Sequence, residues 1–453
     1  MMSKAAFNTD YKNLPDHKDL SHIPGENGLP WIGKGLSFVF GLERMAQDHY
    51  DRFGEISKTR ALGTSWVMAL GADNWQQILL DRDRNFSTEK GYETSLANFY
   101  PKGLLLRDYD EHKTQRRIMQ KAFKTQAMKG YVEQMTPVLQ RHIGDFEKNG
   151  QCIFGPLVKD TLLDVGAKIF IGLDSPNDKT QQLNKAFVDI NHGLLAQLHV
   201  EIPGSTFWRG KRGMRTLHSF FADEIPSRRE GMKEDMFSHM CREKNEDGDY
   251  FSDIDVVANA AFLLFAAHDT TTSTLNSIMM YTAANPEWQE KMRGEVEALN
   301  TDHPSYEDLD NMEMVDRVFH EAIRLVPPAP IGTRRTINEC QMGDYTIPAN
   351  TKILIPFTFN HRDPRYWTNP LAFDPDRFSP ERQEHKNHPF CYHPFGGGAH
   401  KCIGMHFANM LVKSFMFYFL KTYRYSTPEG YVAKLQWAPL PKPTKLPLLL
   451  ERI

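Results

Sequence analysis

The stretch Phe395-Gly-Gly-Gly-Ala-His-Lys-Cys402-Ile-Gly404 runs directly into an apolar segment, residues 405–418, and limits what this chain can fold into more than any other part of it. The glycines let the backbone approach another group closely. The cysteine stands just before the start of a helix, where free amides and the helix dipole favour an anionic sulfur and depress the thiol pKa. This order of residues predicts a loop that presents a thiolate ligand. Two other readings of the same residues stay open. Cys402 is also compatible with a buried structural cysteine. His385, His388, Cys391, His393, His400 and Cys402 also crowd together as a zinc site would, but without the paired-ligand spacing of structural zinc and with no use for the glycines.

With 453 residues, a hydrophobic fraction of 40% and a charged fraction of 25%, the chain has the composition of an ordinary globular protein. Length alone suggests two or three domains, yet 29 Phe, 20 Met, 16 Tyr and 7 Trp supply bulk for one large core. The expectation is a single domain over 1–453, with residues of about 20–75 and 330–360 forming a small β-rich part. A net charge of −3 gives no basic field for nucleic acid. Five cysteines, an odd number, do not make a disulfide framework and suit a reducing cytosol. The first twenty residues are polar, and the apolar stretch 256–267 falls short of the roughly 20 residues a bilayer requires. A cytoplasmic monomer without a membrane anchor is expected.

Local signals mark the elements. Glu55-Ile-Ser-Lys-Thr-Arg60 and Ser65-Trp-Val-Met-Ala-Leu70 flank Gly63 as a hairpin would, and Lys352-Ile-Leu-Ile-Pro356 reads as another strand. The opening segment from Ile23-Pro-Gly to Pro30-Trp-Ile-Gly33 reads as rigid and extended. Ser252 with Asp255 predicts a capping box before a helix over 253–284. Asn285-Pro286 stops that helix and starts the next. Ser305 with Asp308 predicts a helix carrying the stripe Val315, Val318, Phe319 and Ala322. From 327 to about 402 the pattern is loop with short strands, a length that in a compact domain has a functional cause.

The pattern Phe395-x-x-Gly398-x-His400-x-Cys402-x-Gly404 resembles the haem-binding signature of the cytochrome P-450 superfamily. The resemblance implies a mainly α fold, a large helical domain with a smaller β-rich N-terminal part, and haem b (iron protoporphyrin IX) between helix 253–284 and the Cys402 loop. It makes Cys402 the proximal iron ligand and places Phe395, His400 and Gly404 against the cofactor. Thiolate ligation favours O–O bond cleavage. His400 stands where most members carry Arg, a variation associated with the sterol-demethylase-like and retinoid-hydroxylase-like branches, and would donate to a propionate with pH-dependent charge.

Three further segments extend the resemblance. Glu321-Ala-Ile-Arg324 alone is an ordinary i, i+3 ion pair; with Phe373-Asp-Pro-Asp-Arg377-Phe378 it resembles the family's buried structural triad of Glu321, Arg324 and Arg377. In Ala266-Ala-His268-Asp269-Thr270, Thr270 can simply bond back to the Ala266 carbonyl, with Asp269 capping a local network. The family instead has Ala266 and Ala267 leaving room for dioxygen, and Asp269 and Thr270 relaying protons; His268 reads as a satisfied core histidine. His112 and Arg116 at i, i+4 are by themselves a solvated basic face, whereas the family's pattern assigns them, with Arg334, to the propionates.

The resemblance implies a monooxygenase that hydroxylates a hydrophobic, lipid-like substrate of terpenoid, retinoid or steroid type. Its walls are expected from Tyr92, Leu96, Phe99 and Tyr100, from 187–207, and from Pro328 and Ala329. No glycine-rich nucleotide fingerprint precedes a helix, so no fused reductase is expected. Electrons would come from a ferredoxin and its NAD(P)H-dependent reductase, docking at Lys113, Arg117, Lys121 and Lys124. Two alternatives remain: a haem-thiolate peroxygenase or isomerase needing no reductase, and a non-catalytic haem sensor.

Overall fold

The two segments around Gly63 pair antiparallel as the expected hairpin, in the register Ile56↔Ala69 to Ala61↔Thr64, and belong to a six-stranded sheet. Its strands are Gly25–Glu26 (β1), Ile56–Ala61 (β2), Thr64–Ala69 (β3), Phe86–Ser87 (β4), Ile331–Thr336 (β5) and Lys352–Pro356 (β6), in the order β1-β2-β3-β6-β5-β4. The parallel pair β3–β6, in the register Val67↔Ile353, joins the two sequence regions expected to meet. β4 lies outside them. It is held where it is by Asp81, whose carboxylate accepts the Asn85 and Phe86 amides. A second sheet of Gln151–Ile153, Tyr423–Ser426 and Pro447–Arg452 was not expected, because strands of three to six residues leave little periodicity to read. The computed structural model describes residues 10–29, 32–61, 63–174, 177–196, 198–245 and 248–453. The first nine residues and Pro30 and Trp31 of the opening Pro/Gly segment lie outside them.

The helices that frame the site are Tyr109–Gln120 (α1), Phe154–Gly166 (α2), Asp178–Leu194 (α3), Thr206–Glu230 (α4), Asp253–Ala284 (α5), Glu313–Leu325 (α6) and Met405–Thr422 (α7). The central one, α5, begins where its cap predicts: the Ser252 hydroxyl accepts the Asp255 amide at 3.2 Å. It runs 32 residues despite a dense set of hydroxyls because Thr270, Thr271, Thr272, Thr274, Ser277 and Thr282 each donate to the carbonyl four residues back. Around it pack α1, α2, α4, α6 and α7. The segment Gly398–Thr422 is long and apolar enough to cross a bilayer by length and composition, but Val412, Phe415 and Phe419 are fully buried in the core.

Two sequence expectations need correction. The Ser305–Asp308 capping box forms, but it closes only Tyr306–Asp310. The apolar stripe lies on α6, whose first amides, Met314 and Val315, are capped by the Glu295 carboxylate from the helix Pro286–Ala298. Asn285 does mark the end of α5, but its side-chain amide donates to the Tyr281 carbonyl rather than capping the next helix.

The segment before Cys402 is tied to α6 by four buried charges. Glu321 accepts from Arg324 at 2.6 and 2.8 Å, from Arg377 at 3.3 Å and from the Asp374 amide at 2.9 Å. Arg324 also donates to the carbonyls of His361, Pro370 and Ala372, and stacks over Trp367. Arg377 reaches Glu384 at 2.9 Å and the Thr368, Asn369 and Ala372 carbonyls. The expected triad is therefore a charge-balanced tetrad, with Glu384 as the second carboxylate. Replacing Arg377 by Met removes one partner from each carboxylate, while Arg324 stays on Glu321 and Arg382 on Glu384, and we expect urea denaturation to show a loss of about 1–3 kcal/mol. A loss below about 1 kcal/mol would mean the tetrad is dispensable.

Buried histidines set the acid limit. His361 is fully buried, its Nε2 accepting the His393 amide, and burial and the nearby Arg324 hold it well below its ordinary range. Burial also lowers His320, and burial with the Arg116 charge pushes His112 down to about 4. The unfolded chain protonates these rings near pH ~6.5 while the folded one resists. Their contribution to stability is thus complete above that pH and lost progressively as pH falls below it. Denaturant midpoints of the haem-free protein should decline from pH ~7 to ~5; constant midpoints would contradict this.

Candidate active site

The cysteine loop is shaped by close backbone contacts. Gly398 has φ +61°, and a Cβ there would lie 1.8 Å from the Leu79 carbonyl oxygen, so a glycine is required where the loop crosses the end of helix Ala72–Leu80. The Cys402 amide donates to the Phe395 carbonyl at 2.8 Å, closing the turn that sets the sulfur at the start of α7. Cys402 is accessible to solvent, yet desolvation is the largest influence on its thiol. Both hold for a group at the bottom of a recess. Burial raises the thiol against the opposing pull of the Gly404 amide, Arg116 and Lys401. The depressed pKa expected from the helix terminus is thus corrected: burial outweighs the dipole, and the thiolate needs a bound cation to persist.

Four basic side chains from three separate elements surround that recess. His112 and Arg116 come from α1, Arg334 from β5 and His400 from the cysteine loop. The His112 and His400 rings lie 3.9 Å apart, and Arg334, His112 and Arg116 together hold His400, beyond the effect of its burial, well below its ordinary range. Arg334 is buried and, among the described residues, donates only to the Thr333 carbonyl. His400 Nδ1 is buried without a hydrogen-bond partner. Concentrated positive charge with no facing carboxylate in contact, next to a cysteine in a recess, fits a ligand with a metal centre and two carboxylates, as haem b has. The zinc reading finds no such focus: His393 bonds the Gly396 and Pro389 carbonyls, His388 bonds Asp73, and Cys391 donates to the Glu384 and His385 carbonyls. Among the described residues no three His, Cys, Asp or Glu side chains converge as metal ligands.

On α5, Thr270 Oγ1 donates to the Ala266 carbonyl at 2.8 Å, and Ala267 accepts likewise from Thr271. This is the local bond that the residues alone suggest. Asp269 does not contact Thr270 through its carboxylate. Its Oδ2 accepts from Asn191 of α3 at 2.9 Å and its Oδ1 lies 3.1 Å from His268 Nδ1. Burial opposes its ionisation, but His268, Lys159 and Lys442 together hold its carboxyl below the usual range.

The expected wall residues divide. Tyr100 is buried, stacked on Phe265 at 4.6 Å, with its hydroxyl unpartnered. Phe99 points elsewhere, into the crossing of α3 and α4, where Gly193 and Gly210 make space for its ring. Tyr92 accepts from the Thr333 amide, Leu96 is in the core, Pro328 is buried and Ala329 exposed. Phe395 packs at 6.2 Å from Phe319 of α6, and Gly404 caps α7.

Sequence reasoning missed Asn191, Glu384 and His361. Asn191 lies 78 residues from its partner and carries no local signal. Glu384 follows Arg377 by seven positions in a loop without periodicity. The surplus of charge at Arg377 was the one available hint that a second carboxylate was needed.

Comparison with known proteins agrees with this geometry. The model of the family described as cytochrome P450 matches residues 23–446. Cytochrome P450 136 of Mycobacterium tuberculosis is 34% identical over 96% of this chain and 90% of its own length. Cytochrome P450 120 of Synechocystis is 27% identical over 93% of this chain and 94% of its own. The structure titled as retinoic acid bound cyanobacterial CYP120A1 superposes with a TM-score of 0.86 at 26% identity, covering 95% of this chain and 99% of that one. The chain therefore belongs to the cytochrome P450 family, whose members bind haem b and act as monooxygenases.

Proposed function

We propose that this protein hydroxylates a hydrophobic, lipid-like molecule of terpenoid, retinoid or steroid type, as a single-domain cytoplasmic monomer that takes its two electrons from a ferredoxin and an NAD(P)H-dependent ferredoxin reductase. Thiolate-ligated haem supplies the dioxygen activation that inserts one oxygen atom into a carbon–hydrogen bond. In this reading Cys402 holds the iron, while Arg116, Arg334, His112 and His400 offset the two propionates. Gly404 and Phe395 shape the loop around the sulfur. Ala266 and Ala267 leave space on the distal helix. Asp269 and Thr270 pass protons; for Thr270 this requires its hydroxyl to leave the Ala266 carbonyl.

The observation that carries the substrate class is the Tyr100 hydroxyl, the polar group in an aromatic cluster with Phe262 and Phe265, buried and unpartnered. An unpaired buried hydroxyl costs about 1–3 kcal/mol. A largely apolar ligand with one hydrogen-bond-accepting oxygen removes that cost, and the relative bound to retinoic acid accommodates such a molecule. For docking, Lys113, Arg117, Lys121 and Lys124 are all exposed, and Lys121 also pairs with Glu243 at 2.7 Å.

The reduced protein with carbon monoxide should show the strongly red-shifted Soret band of a thiolate-ligated carbonyl, and Cys402→Ser should lose it while still binding haem. An unchanged spectrum in the variant would exclude Cys402 as ligand. Reduction by an acidic ferredoxin should slow as ionic strength rises from about 0.05 to 0.5 M. Lys113→Glu with Lys124→Glu should raise the KM for ferredoxin several-fold with kcat unchanged; salt-independent rates would exclude this docking face.

A further inference from the structure

His268 is buried between α5, α2 and α3, and the groups facing its two ring nitrogens count its protons. Nε2 lies 3.2 Å from the Lys159 carbonyl of α2, which can only accept. Nδ1 lies 3.1 Å from Asp269 Oδ1. A neutral imidazole has one N–H. Given to Lys159, that hydrogen leaves the Nδ1 lone pair pointing at a carboxylate; given to Asp269, it leaves the Nε2 lone pair pointing at a carbonyl. The geometry is satisfied only when the pair carries one proton beyond neutral imidazole and carboxylate. Asp269 Oδ2 is already occupied by the Asn191 amide, which fixes the carboxylate with Oδ1 toward the ring.

We propose that His268 and Asp269 hold this extra proton between them, and that His268 is the positioning residue through which Asp269 is resupplied with protons. The proposal rests on the relay role given to Asp269 above. In the resting pair both ring nitrogens carry hydrogen and Asp269 is ionised. Transfer from Nδ1 to Oδ1 yields a neutral acid and a neutral ring that keeps its Nε2–H on the Lys159 carbonyl. Once Asp269 has passed its proton onward, a lone pair again faces a carboxylate, and the pair takes up a proton from bulk solvent, with water as the relay that itself ends unchanged.

His268 also lines a cavity of about 30 Å³ between α2, α3, α4, α5 and α7, room for water. Asn184 is the other polar side chain lining it, and the rest are apolar residues and glycine, among them Leu162, Phe187 and Ala267. The charged groups that act on the pair are Lys159 from α2 and Lys442 from the strand Lys442–Pro443; Tyr100 contributes a neutral hydroxyl. Both lysines favour the ionised carboxylate, but neither makes the direct hydrogen bond that Asp269 makes to the ring. Phe187 packs edge-on at 5.3 Å and fixes its plane.

The test is a proton count on His268 in the reduced, carbon-monoxide-bound holoenzyme, which is diamagnetic, with ¹⁵N-labelled histidine and the resonances assigned by their loss in His268→Gln. At pH ~7 both ring nitrogens should carry hydrogen in the wild type, and only one in Asp269→Asn. A single ring N–H in the wild type overturns the proposal. In turnover with a surrogate ferredoxin system, His268→Gln keeps a donor toward Asp269 but cannot carry a proton through, so hydrogen peroxide formed per electron should rise several-fold with the thermal midpoint unchanged. Peroxide release equal to wild type in a folded variant also overturns it. The carbonyl Soret band is read on the same sample, so failure of the haem-thiolate reading registers separately.

Discussion

Glu321, Arg324, Arg377 and Glu384 are buried, and the position of the cysteine loop depends on them. Desolvating four charges is costly, and the cost is offset here only because every guanidinium finds both a carboxylate and main-chain carbonyls. Those carbonyls belong to residues 361, 368, 369, 370 and 372, a stretch with no regular secondary structure of its own to hold it. The arginines thus do for this loop what a ladder of backbone bonds does for a strand. From there the order propagates by single bonds: the His361 carbonyl takes Arg324, its ring takes the His393 amide, and His393 and Gly396 close the next turn before Phe395 receives the Cys402 amide.

The second constraint is electrostatic. The recess at Cys402 carries two arginines and two closely spaced histidines, and among the described residues no carboxylate is in ion-pair contact with them, a poor arrangement for a protein alone. Burial and the neighbouring arginines hold both histidines below their ordinary range, so the protein limits the charge it places there. A dianionic cofactor reverses that balance. The same features that make the recess unfavourable for a protein alone are the ones that would select a ligand with two carboxylates, and the raised thiol of Cys402 follows the same logic toward a metal cation.

What could be read from the sequence divides by distance along the chain. Ser252 and Asp255 are three residues apart, and α5 begins where they say. β6 matches its residues from Lys352 to Pro356 because an apolar run bounded by turn residues is a local pattern. The cysteine motif, Glu321 with Arg324, and His112 with Arg116 were legible for the same reason. What was not legible is every pairing made by the fold: Glu295 capping α6, Glu384 completing the tetrad, Asn191 on Asp269. The thiol of Cys402 was misjudged for a related reason, since the helix terminus is visible in the sequence while the protein that desolvates it is not.

The distal helix shows how far a local reading and a functional one can both apply. Thr270 satisfies its hydroxyl within its own turn and Asp269 is occupied by Asn191 and His268, so neither group is held ready for chemistry in this conformation. That is what a long apolar helix requires if it is to tolerate an acid and a run of threonines in its middle. It also means that any relay there works by exchanging one hydrogen bond for another rather than by using unpaired groups. An exchange that gives each donor a new acceptor costs at most about one net hydrogen bond, roughly 0.5–1.5 kcal/mol, rather than the exposure of a buried charge.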